Sequence, residues 1–316
     1  MRLLSTILLS TVMLFSVEIV KPEYQIDING TAKDMVLRGD NLIVATDMGH
    51  IEIFDYKRRE KLKEISIPDI KDFMGDTVPA RVMSVDEIDG KYLLLSDSGK
   101  GGYSNLFIYD KNLTQIFSPD DKRSIIKARF IDRDHILLGY LSDEVSLLDL
   151  KTKRELYRKQ LSESKFSDFA LNGDRSRAVF SCESGVLSVI DVKSGEVIRE
   201  LKGQNVDNVY RVDFKGDYIS GAGQDRRGSI YNLKTAKGDY IQGNFLIYST
   251  ALSPDAKRVA FSMDEKNNIY IYNRETKSDI AILKGQKSTL NVIIFRDEKH
   301  LFSASDDNTI MAWRLD

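Results

Sequence analysis

A short motif that occurs seven times dominates this 316-residue sequence. In most copies an apolar run leads to an aromatic or aliphatic residue, and an Asp or Asn follows. The copies end at Asp55, Asp110, Asp149, Asp191, Asn232, Asn273 and Arg314. The intervals between them are 55, 39, 42, 41, 41 and 41 residues. A period near 41 residues predicts a repeat architecture in which each unit holds four strands.

Each repeat also contains the other strands and turns of such a unit. An apolar strand leads into a polar turn, as in Val212–Tyr218, and a second apolar strand follows, as in Val259–Phe261. Gly and Asp suit the backbone of these turns. The segments Glu60–Ile65 and Glu196–Leu201 alternate in polarity, which predicts an outer strand with one packed face and one wet face. The sequence therefore predicts an all-β, seven-bladed β-propeller.

The repeats resemble the WD40 family. The segment Leu301–Trp313 has the Ser, the turn Asp and the Trp of the family pattern, and Ser253-Pro254-Asp255 matches its first turn. Where the family has Gly-His, this chain has Gly203-Gln204 and Gly285-Gln286, so we expect the family's His–Ser–Asp–Trp network to be mostly absent. The resemblance covers residues 22–316 and implies a rigid ring that presents its faces to partners.

The ends of the repeat region predict how the ring closes. The seventh repeat stops at Asp316, directly after its third strand. The segment Pro22–Ile28 alternates like an outer strand and precedes the first repeat. We expect it to complete the seventh blade, because closure removes most of the exposed sheet edge.

The first 16 residues have the features of a secretory signal peptide. Arg2 precedes the uncharged run Leu3–Phe15, which is too short to span a bilayer comfortably, and Ser16 is a small residue at the expected cleavage site. An uncleaved anchor or a buried first element remain alternatives. The expected organisation is a signal peptide at residues 1–16 and a propeller at residues 17–316, in the periplasm, with no stable membrane span after cleavage.

The net charge and the single cysteine limit the classes of partner and the disulfides that this chain can form. Lys and Arg total 46 and Asp and Glu total 48, so the net charge of −2 gives no broad attraction to nucleic acid. The single cysteine, Cys182, cannot form an internal disulfide, and we expect it to be buried. An intermolecular disulfide or a reactive thiol is the alternative. We expect a monomer that binds protein and not nucleic acid.

The sequence contains no recognisable catalytic, cofactor or metal motif. His50, His135 and His300 fall in different repeats, and no His/Cys/Asp group has the spacing of metal ligands. The run Gly99–Gly102 lacks the rest of a phosphate-binding motif and is interpreted as a flexible turn. We therefore expect no catalytic residues, no cofactor and no metal.

The long first interval marks an insertion of about 14 residues relative to the other repeats. It divides between the segments Ile67–Pro79 and Ser96–Asn105, which we expect on one face together with a third loop, Gln224–Arg227. Long loops on a rigid scaffold often bind partners. The candidate partner-binding residues are Asp69, Lys71, Asp72, Phe73, Met74, Lys100, Tyr103, Arg226 and Arg227. Alternatively, Phe73 and Met74 pack beneath their own loop, and the arginines belong to an ordinary charged turn.

These features favour a secreted, non-catalytic protein-binding scaffold or assembly factor. In overall architecture the chain is similar to the propeller accessory proteins encoded beside some bacterial periplasmic nitrate reductases. That resemblance implies a role near the maturation or electron supply of such an enzyme, with periplasmic redox proteins as partners. The alternatives are a propeller enzyme or small-ligand-binding protein that uses the central channel, and an outer-membrane assembly factor. The absence of a lipid-anchor cysteine and the count of seven repeats argue against the latter. A cytoplasmic hub fits only if the N-terminal run is not a signal.

Overall fold

Seven sheets, each built from consecutive antiparallel strands, follow one another along the described chain and close into a ring. The structure is a computed structural model that describes residues 17–316. The innermost strand of each sheet contacts the innermost strands of both neighbours, and the seventh contacts the first. Within the described residues the one helical element is the 3₁₀ turn Pro119–Asp121. The predicted all-β, seven-bladed propeller is confirmed.

The blades are numbered along the chain, and the strands of each run in order from the channel outward. The first blade comprises Ala32–Arg38, Asn41–Thr46, His50–Asp55 and Glu60–Ser66. The second comprises Val82–Ile88, Lys91–Asp97, Ser104–Asp110 and Asn112–Phe117. The third comprises Ile125–Phe130, His135–Tyr140, Glu144–Asp149 and Arg154–Gln160. The fourth blade comprises Phe166–Leu171, Arg177–Cys182, Leu187–Asp191 and Val197–Leu201. The fifth comprises Val209–Lys215, Tyr218–Gly223, Arg227–Asn232 and Gly238–Gln242. Blade six comprises Thr250–Leu252, Arg258–Ser262, Ile269–Asn273 and Asp279–Leu283, and blade seven begins with Leu290–Phe295, His300–Ser305 and Thr309–Arg314.

The N-terminal segment contributes strands to two different blades. Tyr24–Asp27 pairs antiparallel with Thr309–Arg314, with Ile26 opposite Ile310, and is the fourth strand of the seventh blade. Glu18–Val20 pairs in parallel with Asp279–Leu283, so the sixth blade has a fifth strand that the repeat pattern did not predict. The segment therefore joins the outer edges of blades six and seven.

The hydrophobic core is divided among the interfaces between blades. Within residues 17–316 there are seven clusters of buried side chains, one between each pair of neighbouring blades. Successive residues of a strand point to opposite faces of its sheet. Accordingly Leu42 and Val44 pack towards the seventh blade, whereas Ile43 and Ala45 pack towards the second. Apolar runs without alternation in the second strands thus fill two interfaces at once.

The outer strands differ from the expected alternation. Glu60–Ser66 is exposed at every position except Ile65, and Val197–Leu201 is exposed except at Leu201. The blades diverge towards the rim, so only the end of these strands is covered by the rest of the molecule. Strand Arg154–Gln160 does show the predicted alternation.

Aspartates on four innermost strands connect each of these blades to the next. Their carboxylates accept hydrogen bonds of 2.8–3.0 Å from main-chain N–H groups of the following blade. The pairs are Asp34 with Val85, Asp86 with Phe130, Asp168 with Val212, and Asp213 with Leu252. These hydrogen bonds between blades were not predicted from the sequence, although an Asp recurs a few residues before the first turn of these four repeats.

Candidate functional site

The two inserted loops lie together on one face, which we call the top face. It carries the connections between blades and the loops that join the second and third strands of each blade. In the segment Ile67–Pro79, strands Ile70–Lys71 and Thr77–Val78 form a small hairpin, which we call the top-face hairpin. Gly99 of the second blade packs against it, and a Cβ built on Gly99 would lie 2.0 Å from the carbonyl oxygen of Lys71. The predicted proximity of the two insertions is therefore present.

The tip of the top-face hairpin presents two apolar side chains to solvent. The carboxylate of Asp72 accepts hydrogen bonds of 2.9 Å from the main-chain N–H groups of Met74 and Asp76, which fixes the turn. Phe73 is 91% exposed and Met74 is 72% exposed. They do not pack beneath their own loop, so the alternative interpretation of these two residues is wrong. Asp72 shapes the turn that displays them.

The other predicted residues fall into two groups on the top face. Asp69, Lys71 and Lys100 are exposed near the hairpin, and Tyr103 is half-buried beside Gly101. Arg226 is exposed on the fifth blade. Arg227 is engaged within the protein, because its guanidinium lies 4.5 Å from the ring centre of Tyr240 and donates to the carbonyl of Gln204. The structure brings the first group together but leaves Arg226 and Arg227 at a separate place.

Exposed apolar side chains are more numerous on the top face than on the opposite face. Six of the large apolar residues exposed in the described chain lie in top-face loops: Met48, Phe73, Met74, Leu141, Val206 and Phe245. Four lie on outer strands, namely Leu62, Leu156, Val197 and Ile198, and Ile19 lies on the extra strand of the sixth blade. Within residues 17–316, none lies in the turns of the opposite face. Phe73 and Met74 are adjacent in sequence, and the other four are distributed over loops of different blades.

An aromatic group on the top face escaped sequence analysis. The rings of Tyr210 and Tyr248 stack with centres 5.3 Å apart, and Phe245 lies 6.3 Å from Tyr248. The Tyr210 hydroxyl donates to Gln224, the first residue of the predicted loop Gln224–Arg227. These residues come from neighbouring blades, and their contact depends on how the blades are packed. The sequence holds no local signal for it.

The central channel contains a cavity of about 380 Å³ that is crossed by charged side chains. Arg129 of the third blade binds Asp34 of the first, Lys127 binds Asp168 at 2.5 Å, and Arg211 donates to the carbonyl of Lys33 at 3.1 Å. Burial alone would raise the pKa of Asp34, but Arg129 and Lys127 outweigh that effect and lower it. Burial lowers the pKa of Lys127, which Asp168 only partly offsets. Asp34 therefore stays ionised and is held by partners.

Two histidines and the cysteine that the sequence analysis considered make contacts within the protein. The Nδ1 atoms of His135 and His300 lie 2.8–3.0 Å from the carboxylates of Asp132 and Asp297, each within a turn. Cys182 is 3% exposed, as expected of a buried thiol.

The seventh blade contains a small group of buried polar side chains centred on Ser303. The indole N–H of Trp313 and the side-chain amide of Gln286 both donate to the hydroxyl of Ser303, at 2.8 and 2.9 Å. Gln286 stands where the WD40 pattern has histidine, and its amide supplies the same kind of donor. Ser303 therefore accepts two buried side-chain hydrogen bonds in this blade, and neither of them comes from an Asp or a His.

Comparison with models of protein families gives no match, and comparison with curated protein sequences gives no match either. Among residues 17–316, no helix is both long enough and apolar enough to cross a bilayer.

Proposed function

We propose that this protein is a non-catalytic protein-binding scaffold whose top face receives the partner. The observation that carries the proposal is the concentration of exposed apolar side chains in top-face loops, with Phe73 and Met74 at the tip of a hairpin whose turn is fixed by Asp72. A rigid scaffold that displays such side chains loses little conformational freedom on binding, which favours affinity.

The top-face hairpin offers a specific mode of contact. Phe73 and Met74 are of types enriched in the cores of interfaces, while charged residues surround such cores as a polar rim. Lys71 and Asp76 flank the two apolar side chains, and Lys100 lies on the adjoining loop. The partner should therefore provide an apolar pocket bordered by polar groups of both signs.

We further propose that the chain acts in the periplasm, as an accessory of a nitrate reductase system. The proposal is supported by the predicted signal peptide, residues 1–16, which lies outside the described residues, and by the resemblance in architecture to propeller accessory proteins. Intact-mass analysis of protein recovered from a periplasmic fraction tests export. A mature chain beginning at Val17 is expected, and full-length protein confined to the cytoplasm would contradict it.

The binding proposal is tested by site-specific crosslinking. A photoreactive amino acid at Phe73 should crosslink one periplasmic protein, identified by mass spectrometry, and Phe73→Ser/Met74→Ser should abolish its capture. The matched control is Leu156→Ser/Ile198→Ser, which removes two exposed apolar side chains from outer strands. Equal loss of capture in both double variants would argue against a top-face site. Recovery of a redox enzyme or its electron carrier would support the nitrate reductase role.

The side chains that line the central channel support a second candidate function, which is the binding of a small anion. The cavity is lined by six cationic side chains, Arg38, Lys127, Arg129, Arg175, Arg211 and Lys215, and by three acidic ones, Asp34, Asp168 and Asp213. An excess of positive charge in a cavity favours a small anion. Screening phosphate and dicarboxylates by thermal shift tests this function, and Arg211→Gln should remove any shift that a channel ligand causes.

A further inference from the structure

A histidine and two glutamates of the first blade meet just beneath the top face. His50 and Glu52 lie on strand His50–Asp55, and Glu64 lies opposite Glu52 on strand Glu60–Ser66. One nitrogen or oxygen atom from each side chain lies within 4.8 Å of the other two. The side chains of His50 and Glu52 are 4% and 2% exposed, whereas that of Glu64 is 39% exposed and reaches solvent.

Two polar atoms of this cluster are buried without a hydrogen-bond partner. They are Nε2 of His50 and Oε2 of Glu52. The nearest approach between these side chains, Nε2 of His50 to Oε1 of Glu52, is 3.6 Å, which is too long for a hydrogen bond. Buried polar atoms normally have partners, because leaving them without one costs free energy. Both atoms therefore point to an additional group.

The histidine ring is oriented as a ligand. Its Nδ1 atom lies 3.0 Å from the main-chain carbonyl of Met48. A carbonyl can only accept, so Nδ1 carries a proton, and in the neutral form of the ring the lone pair is on Nε2. Metal-binding histidines commonly donate the other ring N–H to a carbonyl or carboxylate in this way.

A cation already lies between the two carboxylates. The ammonium group of Lys61 is 2.6 Å from Oε1 of Glu52 and 2.6 Å from Oε2 of Glu64. Lysine can only donate, and it leaves both Nε2 of His50 and Oε2 of Glu52 without partners. The Lys61 side chain is 40% exposed, so it can swing into solvent if another cation takes its place.

We propose that His50, Glu52 and Glu64 bind a divalent first-row transition-metal ion, for which Zn²⁺ is the probe, and that the ion displaces the Lys61 ammonium. One imidazole nitrogen and two carboxylates form a donor set that suits such ions. Metal–ligand distances of about 2.0–2.2 Å place neighbouring ligand atoms about 3.3 Å apart, so the 3.6 Å separation of His50 and Glu52 needs little adjustment. Three protein ligands leave one position for water or for a group from a partner.

The position of the cluster gives the ion a structural consequence. The N–H of Ile67 donates to the carbonyl of Gly49 at 2.9 Å, where the hairpin segment Ile67–Pro79 begins. His50 follows Gly49 directly, and Glu64 precedes Ile67 by three residues. A bound ion would join the two strands at the base of the top-face hairpin.

The test uses chain 17–316, treated with a chelator and titrated with ZnCl₂ by calorimetry. We expect one zinc ion per chain, and His50→Asn and Glu52→Gln should each weaken binding at least about tenfold. Glu52→Gln keeps the shape of the side chain. His135→Asn and His300→Asn are the matched controls, because each removes a histidine paired with an Asp in a surface turn, and both should bind like the wild type.

A third variant keeps the proposal testable if the ligand variants fail to fold. Lys61→Met removes the competing ammonium, so zinc should bind more tightly and should raise the thermal stability of the variant more than that of the wild type. Absence of zinc binding by the wild type overturns the proposal. So does zinc binding that is unchanged by His50→Asn or Glu52→Gln, or that is not tightened by Lys61→Met.

Discussion

The guanidinium group of Arg129 holds the carboxylate of Asp34 across the channel with two parallel contacts. Nη2 donates to Oδ1 at 2.9 Å, and Nη1 lies 2.8 Å from Oδ2. The two residues belong to the third and first blades, which are not neighbours in the ring. Because Asp34 also accepts from the N–H of Val85 in the second blade, one carboxylate connects three blades.

This geometry predicts a large stability cost for Asp34→Asn. The side chains of Asp34 and Arg129 are 3% and 11% exposed, so the substitution leaves a buried guanidinium without its counter-ion. Removing one member of a buried pair typically costs about 3–5 kcal/mol. Urea unfolding followed by circular dichroism measures this loss.

The matched comparison is Asp213→Asn. Asp213 makes the same kind of contact to the N–H of Leu252, but its cationic partner Lys215 is 35% exposed. Solvent screens that pair, so the loss should be about 1 kcal/mol. Equal losses in the two variants would show that the contact to the next blade, and not the channel ion pair, determines the cost.

Gly99 is predicted to hold the two inserted loops together. Gly99 has φ +69°, and a Cβ there would lie 2.0 Å from the carbonyl oxygen of Lys71. Gly99→Ala should therefore push the top-face hairpin away, increase proteolytic cleavage between residues 67 and 79, and weaken partner capture, with little change in global stability. Gly102→Ala is the control, because Gly102 has φ +72° and no atom within 4 Å of its built Cβ. If both variants are cleaved equally, backbone strain and not the clash is responsible.

The fold was predictable from sequence because the repeat period is set by the size of a blade. Weak motifs such as Val145–Asp149 carry little information alone, but seven in register specify a ring. The extra strand Glu18–Val20 was not predictable, since it precedes the first repeat and pairs with a blade far away in sequence. The exposure of the outer strands was predicted less accurately. The alternation in Glu60–Ile65 predicted one packed face, but only Ile65 of that strand is buried.

The candidate site was predictable where it depended on insertions and not where it depended on contacts between strands. The excess length of the first interval located the top-face hairpin and the exposed pair Phe73 and Met74. The cluster of His50, Glu52 and Glu64 was missed because its third member joins only through strand register, which spacing along the chain does not show. The stacking of Tyr210 on Tyr248 was missed for the same reason, since the two rings come from segments far apart in sequence.

A pH-dependent stability effect is expected at Asp143. Burial raises the pKa of Asp143 to about 6, partly offset by hydrogen bonds from Ser162 and Cys182, and its Oδ1 has no partner. In the unfolded chain the group titrates near its ordinary pKa of about 4. The native state therefore retains the proton longer, and ionising the buried carboxyl destabilises it progressively as pH rises from about 4 through 6.

Asp143→Asn should remove this dependence. The free energy of unfolding of the variant, relative to the wild type, should rise by about 2 kcal/mol between pH 4 and pH 7 and then level off. Asp143 has φ 57°, which asparagine adopts readily. Asp149→Asn is a control of opposite sign, because main-chain N–H groups lower the pKa of Asp149 and its contribution is lost as pH falls. A constant difference between Asp143→Asn and wild type across this range would contradict the assignment.

The two N-terminal strands should differ sharply in what their removal does. A chain that begins at Lys21 lacks only the fifth strand of the sixth blade and keeps seven four-stranded sheets. A chain that begins at Asn29 also lacks Tyr24–Asp27, together with the buried side chains of Ile26 and Ile28 between blades seven and one. The shorter chain should therefore melt more than about 10 °C below the longer one, since each kcal/mol lowers the melting temperature of a large domain by roughly 2–4 °C.

Tryptophan fluorescence provides a local measurement of that opening. Trp313, the one tryptophan of the chain, is 1% exposed and lies on strand Thr309–Arg314, which pairs with Tyr24–Asp27. Its emission should shift to longer wavelength in the chain that begins at Asn29. The shift should be much smaller in the chain that begins at Lys21, which loses only Val20 from the buried cluster that contains Trp313. A synthetic peptide of residues 21–28 should reverse the shift, because it can pair with the vacated strand edge. Unshifted emission in the shorter chain would mean that the seventh blade keeps its packing without the N-terminal strand.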